Sequence, residues 1–385
     1  RDLHLSLRRQ RQMCIRDRVL SFETSLPAGV TLLFRKTRSM WNGKSGPLRF
    51  EVKNTLDFER TSIAEIDLPH TPSWPGPVVE LLYRGGSLPG QISDAEFDDE
   101  KPRRFRISWI CRLPPKGEKD FTLKPSAFVK WSSFDVRNPV QRGWLSDEFE
   151  IVKGDERVLM ASQNGGLLMT MLLHGEPFAK KLENGVRAGL TLLIEGLREG
   201  WESKAAVKSA VVARRGPVFC DIVCPMTRWW GYFRKKLDVS FEGRVFKLPE
   251  GTTMRCRWEI TPADGVIKVL PHPENGEVLR ITLKGALKRG TFEVEGSPGV
   301  YAFDGRKVFV GFALPPDGAG MSPEWSFEGD AAVLKFGVKA GAVIDRRIEL
   351  LSWIGLIAPG DLQPREAAEL LSLSLMKRPV VKPLF

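Results

Sequence analysis

The densest set of chemically capable side chains is the stretch Thr227-Arg228-Trp229-Trp230-Gly231-Tyr232-Phe233-Arg234. Indole and phenol rings offer flat apolar platforms to the C–H faces of a sugar, and a flanking guanidinium pairs with carboxylates. Arg228, Trp229, Trp230 and Tyr232 are therefore the candidate carbohydrate-binding residues. The same side chains would equally build a buried aromatic cluster between domains, where Trp and Tyr are common. His174, closing the apolar run Leu167 to Leu173 and followed by Gly175-Glu176, is placed either to orient a substrate hydroxyl or to make a local turn hydrogen bond.

Hydrolytic chemistry leaves no comparable mark. A hydrolytic zinc site needs three clustered protein ligands and an open position. His4, His70, His174 and His272 include no His-x-Asp pair, and no metal site is assigned. Glycoside hydrolysis uses two carboxylates about 5 to 10 Å apart, and spacing alone singles out no pair among the 47 acidic residues. No nucleophile elbow, P-loop or dinucleotide fingerprint occurs in context. A lyase base would be sought at Tyr232, amid Arg228, Arg234, Lys235 and Lys236. Catalytic residues stay unassigned. Of the five cysteines, Cys220 and Cys224 share one face of an extended run, and their spacing suits neither a redox pair nor zinc; with Cys111 and Cys256 they read as buried free thiols.

The elements that must position these residues are strands. LRFEVK at 48–53, SIAEIDL at 62–68, VVELLY at 78–83 and FRISWICRL at 105–113 alternate or run apolar between Gly- and Pro-rich clusters such as RGGSLPG and LPPKGEK, which read as turns. GVTLLFRK at 29–36 has the same pattern. Longer pieces follow beyond Pro125: EFEIV, RVLMA, LLMTMLL, AGLTLLIE, SAVVARR and PVFCDIV, then RCRWEIT, GVIKVL, EVLRITLKG, RKVFVGFAL, AVLKFGV and IDRRIELLSW. One helix is predicted over Pro364–Met376, with Pro in its first turn, Glu366 behind it and apolar residues at 367, 370, 371 and 375. No apolar run approaches the length of a membrane-spanning helix, so no membrane span is expected.

The net charge of +11 is unevenly spread, because residues 1–18 hold six Arg against two Asp. Beyond residue 18, basic and acidic residues are interspersed without a nucleic-acid-binding motif, and no nucleic-acid partner is expected. The stretch Gln12-Met13-Cys14-Ile15-Arg16-Asp17-Arg18 resembles translated adapter sequence, so residues 1–18 are read as a non-native or disordered tail and the true N-terminus as missing. The alternative is a basic arm for an anionic partner. The compartment is left open.

Three stretches in order resemble the C-terminal β region of the glycoside hydrolase family 38 α-mannosidases. Asn54-Thr55-Leu56-Asp57-Phe58-Glu59-Arg60 is similar to that family's Asn-Pro-Leu-x-Trp-x-Arg opening, and Leu113-Pro114-Pro115-Lys116-Gly117 to its LPP-x-G turn. LSDEFEIV at 145–152, Asn164-Gly165-Gly166-Leu167 and His174-Gly175-Glu176 are similar to the start of its large sandwich, and 365–381 to its last helix and returning strand. Thr55 stands where the family has Pro, and Phe58 where it has Trp. The resemblance adds Asn164 to the candidate sugar-binding set. It implies a small β-sandwich over 19–126, a galactose-mutarotase-like antiparallel supersandwich over 127–300, and terminal strands and a helix over 301–385 completing an all-β assembly. It further implies an accessory carbohydrate-handling region that is not catalytic on its own, with a glycan and an upstream catalytic domain as partners. Zinc would belong to that upstream domain, and no cofactor to this chain. The alternative is a polysaccharide lyase or stand-alone glycan-binding module of supersandwich type.

Overall fold

A computed structural model describes residues 48–69, 78–94, 104–125, 131–137, 148–162, 167–181, 183–192, 203–204, 211–225, 237–262, 266–273, 275–316, 321–338 and 342–384. The described residues are all-β: their strands pair antiparallel in several sheets, and among them an α-helix, Pro364–Met376, lies near the C-terminus as the sequence predicts.

The first sheet has seven strands in the order Arg60–Pro69, Arg104–Leu113, Gly86–Asp94, Val78–Tyr83, Glu118–Pro125, Arg49–Lys53 and Val380–Leu384. Its two edge strands approach each other, so the sheet rolls around an interior of Phe50, Val79, Leu81, Trp109, Phe121 and Leu123. Period-two alternation fills that interior from one face of every strand, with Trp109 set edge-on to Phe121 at 5.9 Å. The strand Gly86–Asp94 corrects the reading of RGGSLPG as a turn alone. Only Arg84 and Gly85 turn; Gly90 then lies within the strand because a Cβ there would stand 2.7 Å from Val79 Cγ2. A residue type that usually breaks strands here permits a close interior approach.

The second sheet runs Met321–Glu328, Ala331–Val338, Glu277–Thr282, Val186–Ala188, Leu167–Leu173, Glu156–Ser162, Glu148–Lys153 and Phe134–Arg137, with Glu176–Pro177 beside Leu167–Leu173. The third runs Val211–Arg215, Phe219–Pro225, Leu237–Leu248, Gly251–Pro262, Ile348–Ile357, Val308–Leu314, Ser297–Phe303 and Lys288–Val294. These two sheets form a sandwich whose core includes Leu159, Met169, Phe241, Trp258, Leu279 and Phe336. On its other face the third sheet meets the helix, through Ala367, Ala368, Leu371 and Leu375, and the outward-pointing Ile63 of the first sheet. Covered on both sides, Val308–Leu314 is apolar along nearly its whole length, as the continuous run VFVGFAL requires.

Gln91 locks the first sheet to the third. Its Oε1 accepts the Val218 and Phe219 backbone N–H groups, each at 2.9 Å, and its Nε2 donates to Phe219 O at 3.1 Å. Cys111, Cys220, Cys224 and Cys256 are free and buried, the last three within the sandwich core.

Candidate functional site

Arg228, Trp229, Trp230, Tyr232 and Asn164 lie outside the described residues. His174 follows the strand Leu167–Leu173 in a left-handed turn, with φ 52° and Gly175 next at 74°. Its backbone N–H donates to Glu156 Oε1 at 3.0 Å, and its Nδ1 stands 3.8 Å from the same oxygen. Lys247 Nζ, from the third sheet, donates to that oxygen at 2.6 Å. The imidazole is 71% exposed. The bond of this turn is thus made by the His174 backbone to a carboxylate 18 residues away, and not locally by the imidazole. Nearby, the Lys153 amine sits 5.1 Å above the Phe134 ring; burial lowers its pKa, and the charge of Lys247 lowers it further against the pull of Glu156. This cluster offers an exposed imidazole and two amines around one carboxylate.

A larger charged constellation occupies the outward face of the third sheet. Alternation along Leu237–Leu248 and Gly251–Pro262 sends Phe241, Met254, Cys256 and Trp258 into the sandwich core and leaves Glu242, Arg244, Arg255 and Arg257 on the opposite face. Arg244 Nε and Nη2 donate to the Asp221 carboxylate at 2.7 and 2.9 Å, and the guanidinium covers the Phe219 ring at 4.0 Å. Burial alone would lower the Arg244 pKa; the Asp221 carboxylate outweighs it and holds the guanidinium charged. Glu242 bridges Arg244 at 3.4 Å and Arg257 at 3.7 Å, and Arg257 donates to Glu349 at 3.0 Å.

The first sheet adds Glu65. Its carboxylate is 6% exposed, accepts the Ser108 hydroxyl at 3.1 Å and the Arg378 guanidinium, and lies 3.8 Å from Arg255 and 3.9 Å from Arg106. Burial pushes its pKa up, yet the positive charges of Arg255, Arg378, Arg106 and Arg244 overcome this and bring it to about 2. A carboxylic acid that ionises there holds no proton to donate near neutrality, so Glu65 is an anchor and not a general acid. Among the described residues, no three His, Cys, Asp or Glu side chains gather as a metal-binding group.

Two of the three resembling stretches, 54–60 with 113–117 and 365–381, meet beside this node. Asn54 Nδ2 donates to Phe58 O at 2.9 Å and to Pro114 O at 2.8 Å, while its Oδ1 accepts the Leu56 N–H. Buried Arg60 donates to Ser374 O at 3.1 Å and to Lys377 O, closing the C-terminal end of the helix. A cation suits that end of the dipole, where the last carbonyls lack partners. The role of these motif residues in this chain is to join turn, sheet and helix.

Sequence reasoning missed Glu65, Arg255, Glu156 and Lys247. The signal present was the alternation Arg255-x-Arg257-x-Glu259, but only strand register reveals which acid stands opposite each base. No protein-family model matches this sequence, and no curated protein matches it. The class defined by the fold is an all-β antiparallel sandwich protein with a C-terminal helix.

Proposed function

We propose that this chain is the carbohydrate-handling, non-catalytic β region of a glycosidase-like assembly of α-mannosidase type, acting beside a catalytic domain that holds zinc. The observation that carries the reading is the junction of the first and last of the resembling stretches. Asn54 is hydrogen-bonded to a carbonyl 60 residues away, and Arg60 to one 314 residues away. Short motifs far apart in sequence thus serve one architectural joint, which is how a resemblance of scattered stretches arises from a shared architecture. The carboxylates of the adjacent node are held by guanidinium groups, in keeping with an anchoring role.

The test is titration of the chain with mannose-terminated oligosaccharides, alongside an assay of the chain alone on a nitrophenyl α-mannoside. Saturable binding, lost in a folded Trp229→Ala/Trp230→Ala variant, with no hydrolysis, is the expected result. Absence of glycan binding by the folded chain, or turnover by the chain alone, overturns the reading.

A polysaccharide lyase is the second reading, favoured by one observation: the Lys153 amine, lowered in pKa beside Glu156, Lys247 and exposed His174, suits proton abstraction. Release of unsaturated, ultraviolet-absorbing sugars from acidic polysaccharides, abolished in Lys153→Met, would decide for it.

A further inference from the structure

Two amines and a carboxylate stand where the sandwich pattern calls for apolar side chains. Strand register sets Lys153 directly opposite Phe134 on one side and Glu156 on the other. Residues opposite one another in an antiparallel pair share a face. Phe134 belongs to the sandwich core, so Lys153 and Glu156 face inward, towards the third sheet. Lys247 meets them from that sheet, in phase with Phe241 and Val245, and donates to Glu156 Oε1 at 2.6 Å. His174 closes the cluster, with its imidazole Nδ1 3.8 Å from the same oxygen.

Glu156 is engaged by Lys247 and by the His174 backbone N–H. Lys153 is not so held. Among the described residues its amine has no hydrogen-bond acceptor and no carboxylate within ion-pair distance, and it lies 5.1 Å from the centre of the Phe134 ring. The side chain is half-buried, yet its nitrogen is not sealed from solvent. A lysine kept only for packing sends its ammonium out to water. Half-buried and beside a second ammonium, this amine instead loses part of the stabilisation of its protonated form. Desolvation next to another cation is the setting in which lysine becomes a nucleophile towards carbonyl carbon.

We infer that Lys153 is a nucleophilic amine that captures a small open-chain hydroxyaldehyde as an imine at this mouth of the sandwich. The nitrogen lone pair forms the bond to the carbonyl carbon, and the carbonyl oxygen takes up a proton as the nitrogen releases one. The carbinolamine then loses its hydroxyl group with a further proton as water, leaving the C=N bond. The Lys247 ammonium is the proton donor at hand and Glu156 the acceptor, a pair already joined by a hydrogen bond. The Phe134 ring offers an apolar face to the carbon chain, and the exposed His174 imidazole offers a partner to a hydroxyl. The reaction needs neither Trp229 nor Trp230, so it can fail while the glycan reading stands, and it forms a bond to Lys153 where lyase chemistry would only remove a proton.

The experiment is incubation of the full chain with D-glyceraldehyde and sodium cyanoborohydride, which reduces each imine to a stable secondary amine, followed by peptide mapping by mass spectrometry. Lys153 is expected to be modified ahead of every other lysine, exposed Lys181 included, at a rate that saturates with glyceraldehyde concentration. Lys247→Met, which removes the neighbouring positive charge and the proton donor, should slow the labelling of Lys153 several-fold and leave that of Lys181 unchanged. Labelling of Lys153 no faster than of Lys181 overturns the inference, being the behaviour of a packed lysine. A rate strictly proportional to aldehyde concentration also overturns it, being that of an amine with no site beside it. Both readouts come from the unaltered protein, so a misfolded variant does not blunt the test.

Discussion

Replacing Glu65 by Gln removes one charge from the joint between sheets while keeping the shape of the protonated acid. The magnitude follows from how far the fold displaces this carboxylate. Its ordinary value of 4.5 falls to about 2 despite burial, because guanidinium groups from the first sheet, the third sheet and the segment after the helix converge on it. Each tenfold change in ionisation is worth about 1.4 kcal/mol, so ionised Glu65 contributes about 3 kcal/mol to folding at neutral pH. The carboxylate is depressed in the folded state. Its contribution is therefore fully present above about pH 4.5 and is lost as pH falls towards 2. By pH 3 about 1 kcal/mol remains.

Urea unfolding of both proteins, followed by tryptophan fluorescence, measures this directly. Acid titration of the other carboxylates affects both proteins alike and drops out of the difference. The expected gap is about 3 kcal/mol at pH 7, narrowing to about 1 kcal/mol at pH 3. A gap below about 1 kcal/mol at pH 7, or one independent of pH, would refute the claim that paired charge holds this carboxylate.

Arg60→Met removes two charge-assisted hydrogen bonds from the helix end and relieves the burial of a guanidinium, for a net loss of about 2 kcal/mol. Hydrogen exchange should show the loss in Pro364–Met376 as about 30-fold faster opening, with the sandwich core unchanged; a uniform change across the chain would contradict the local clamp. In a Cys14→Ser background, no thiol should react with an aromatic disulfide at pH 8 until the chain is unfolded. Burial raises all four remaining thiols, with Cys111, Cys220 and Cys224 pushed to about 12, so rapid native labelling of any of them would show that the cores open readily.

Strands whose inward residues alternate with polar ones were legible, as in LRFEVK and FRISWICRL, and so was the helix, where Pro364, Glu366 and the 3.6-residue spacing agree. Gly86–Asp94 was hidden because Pro89 and Gly90 read as turn residues, although Gly90 serves a tight interior contact. Leu237–Leu248, a central strand of the third sheet, was passed over because Asp238, Glu242, Arg244 and Lys247 dilute its apolar signal. Asp238, Glu242 and Arg244 are the outward half of a two-faced strand, whereas Lys247, in phase with Phe241 and Val245, turns to Glu156 of the second sheet. The Glu65 node was illegible for a different reason: its members lie on four strands and the segment after the helix, and no local spacing joins residue 65 to 255 or 378.

The joint between the first and third sheets explains why charge is buried there at all. An apolar contact such as that of Ile63 with the helix face is tolerant of sliding, because dispersion and the hydrophobic effect depend weakly on direction. The bonds of Gln91 to Val218 and Phe219, of Arg60 to the helix end, and of Glu65 to Ser108 each demand a particular approach. Buried ion pairs are often no more stabilising than apolar side chains of the same volume, whereas breaking one partner is expensive. A joint built this way gains little stability over a greasy one, but it admits a single docking angle. For a β region proposed to shape the rim of a glycan site, that angle is the functional quantity: a rotation of the first sheet on the third would displace every loop at its far end. Apolar replacement of Glu65 together with both Arg255 and Arg378 should then leave Tm nearly unchanged while broadening the distribution of sheet-to-sheet distances measured by paired spin labels.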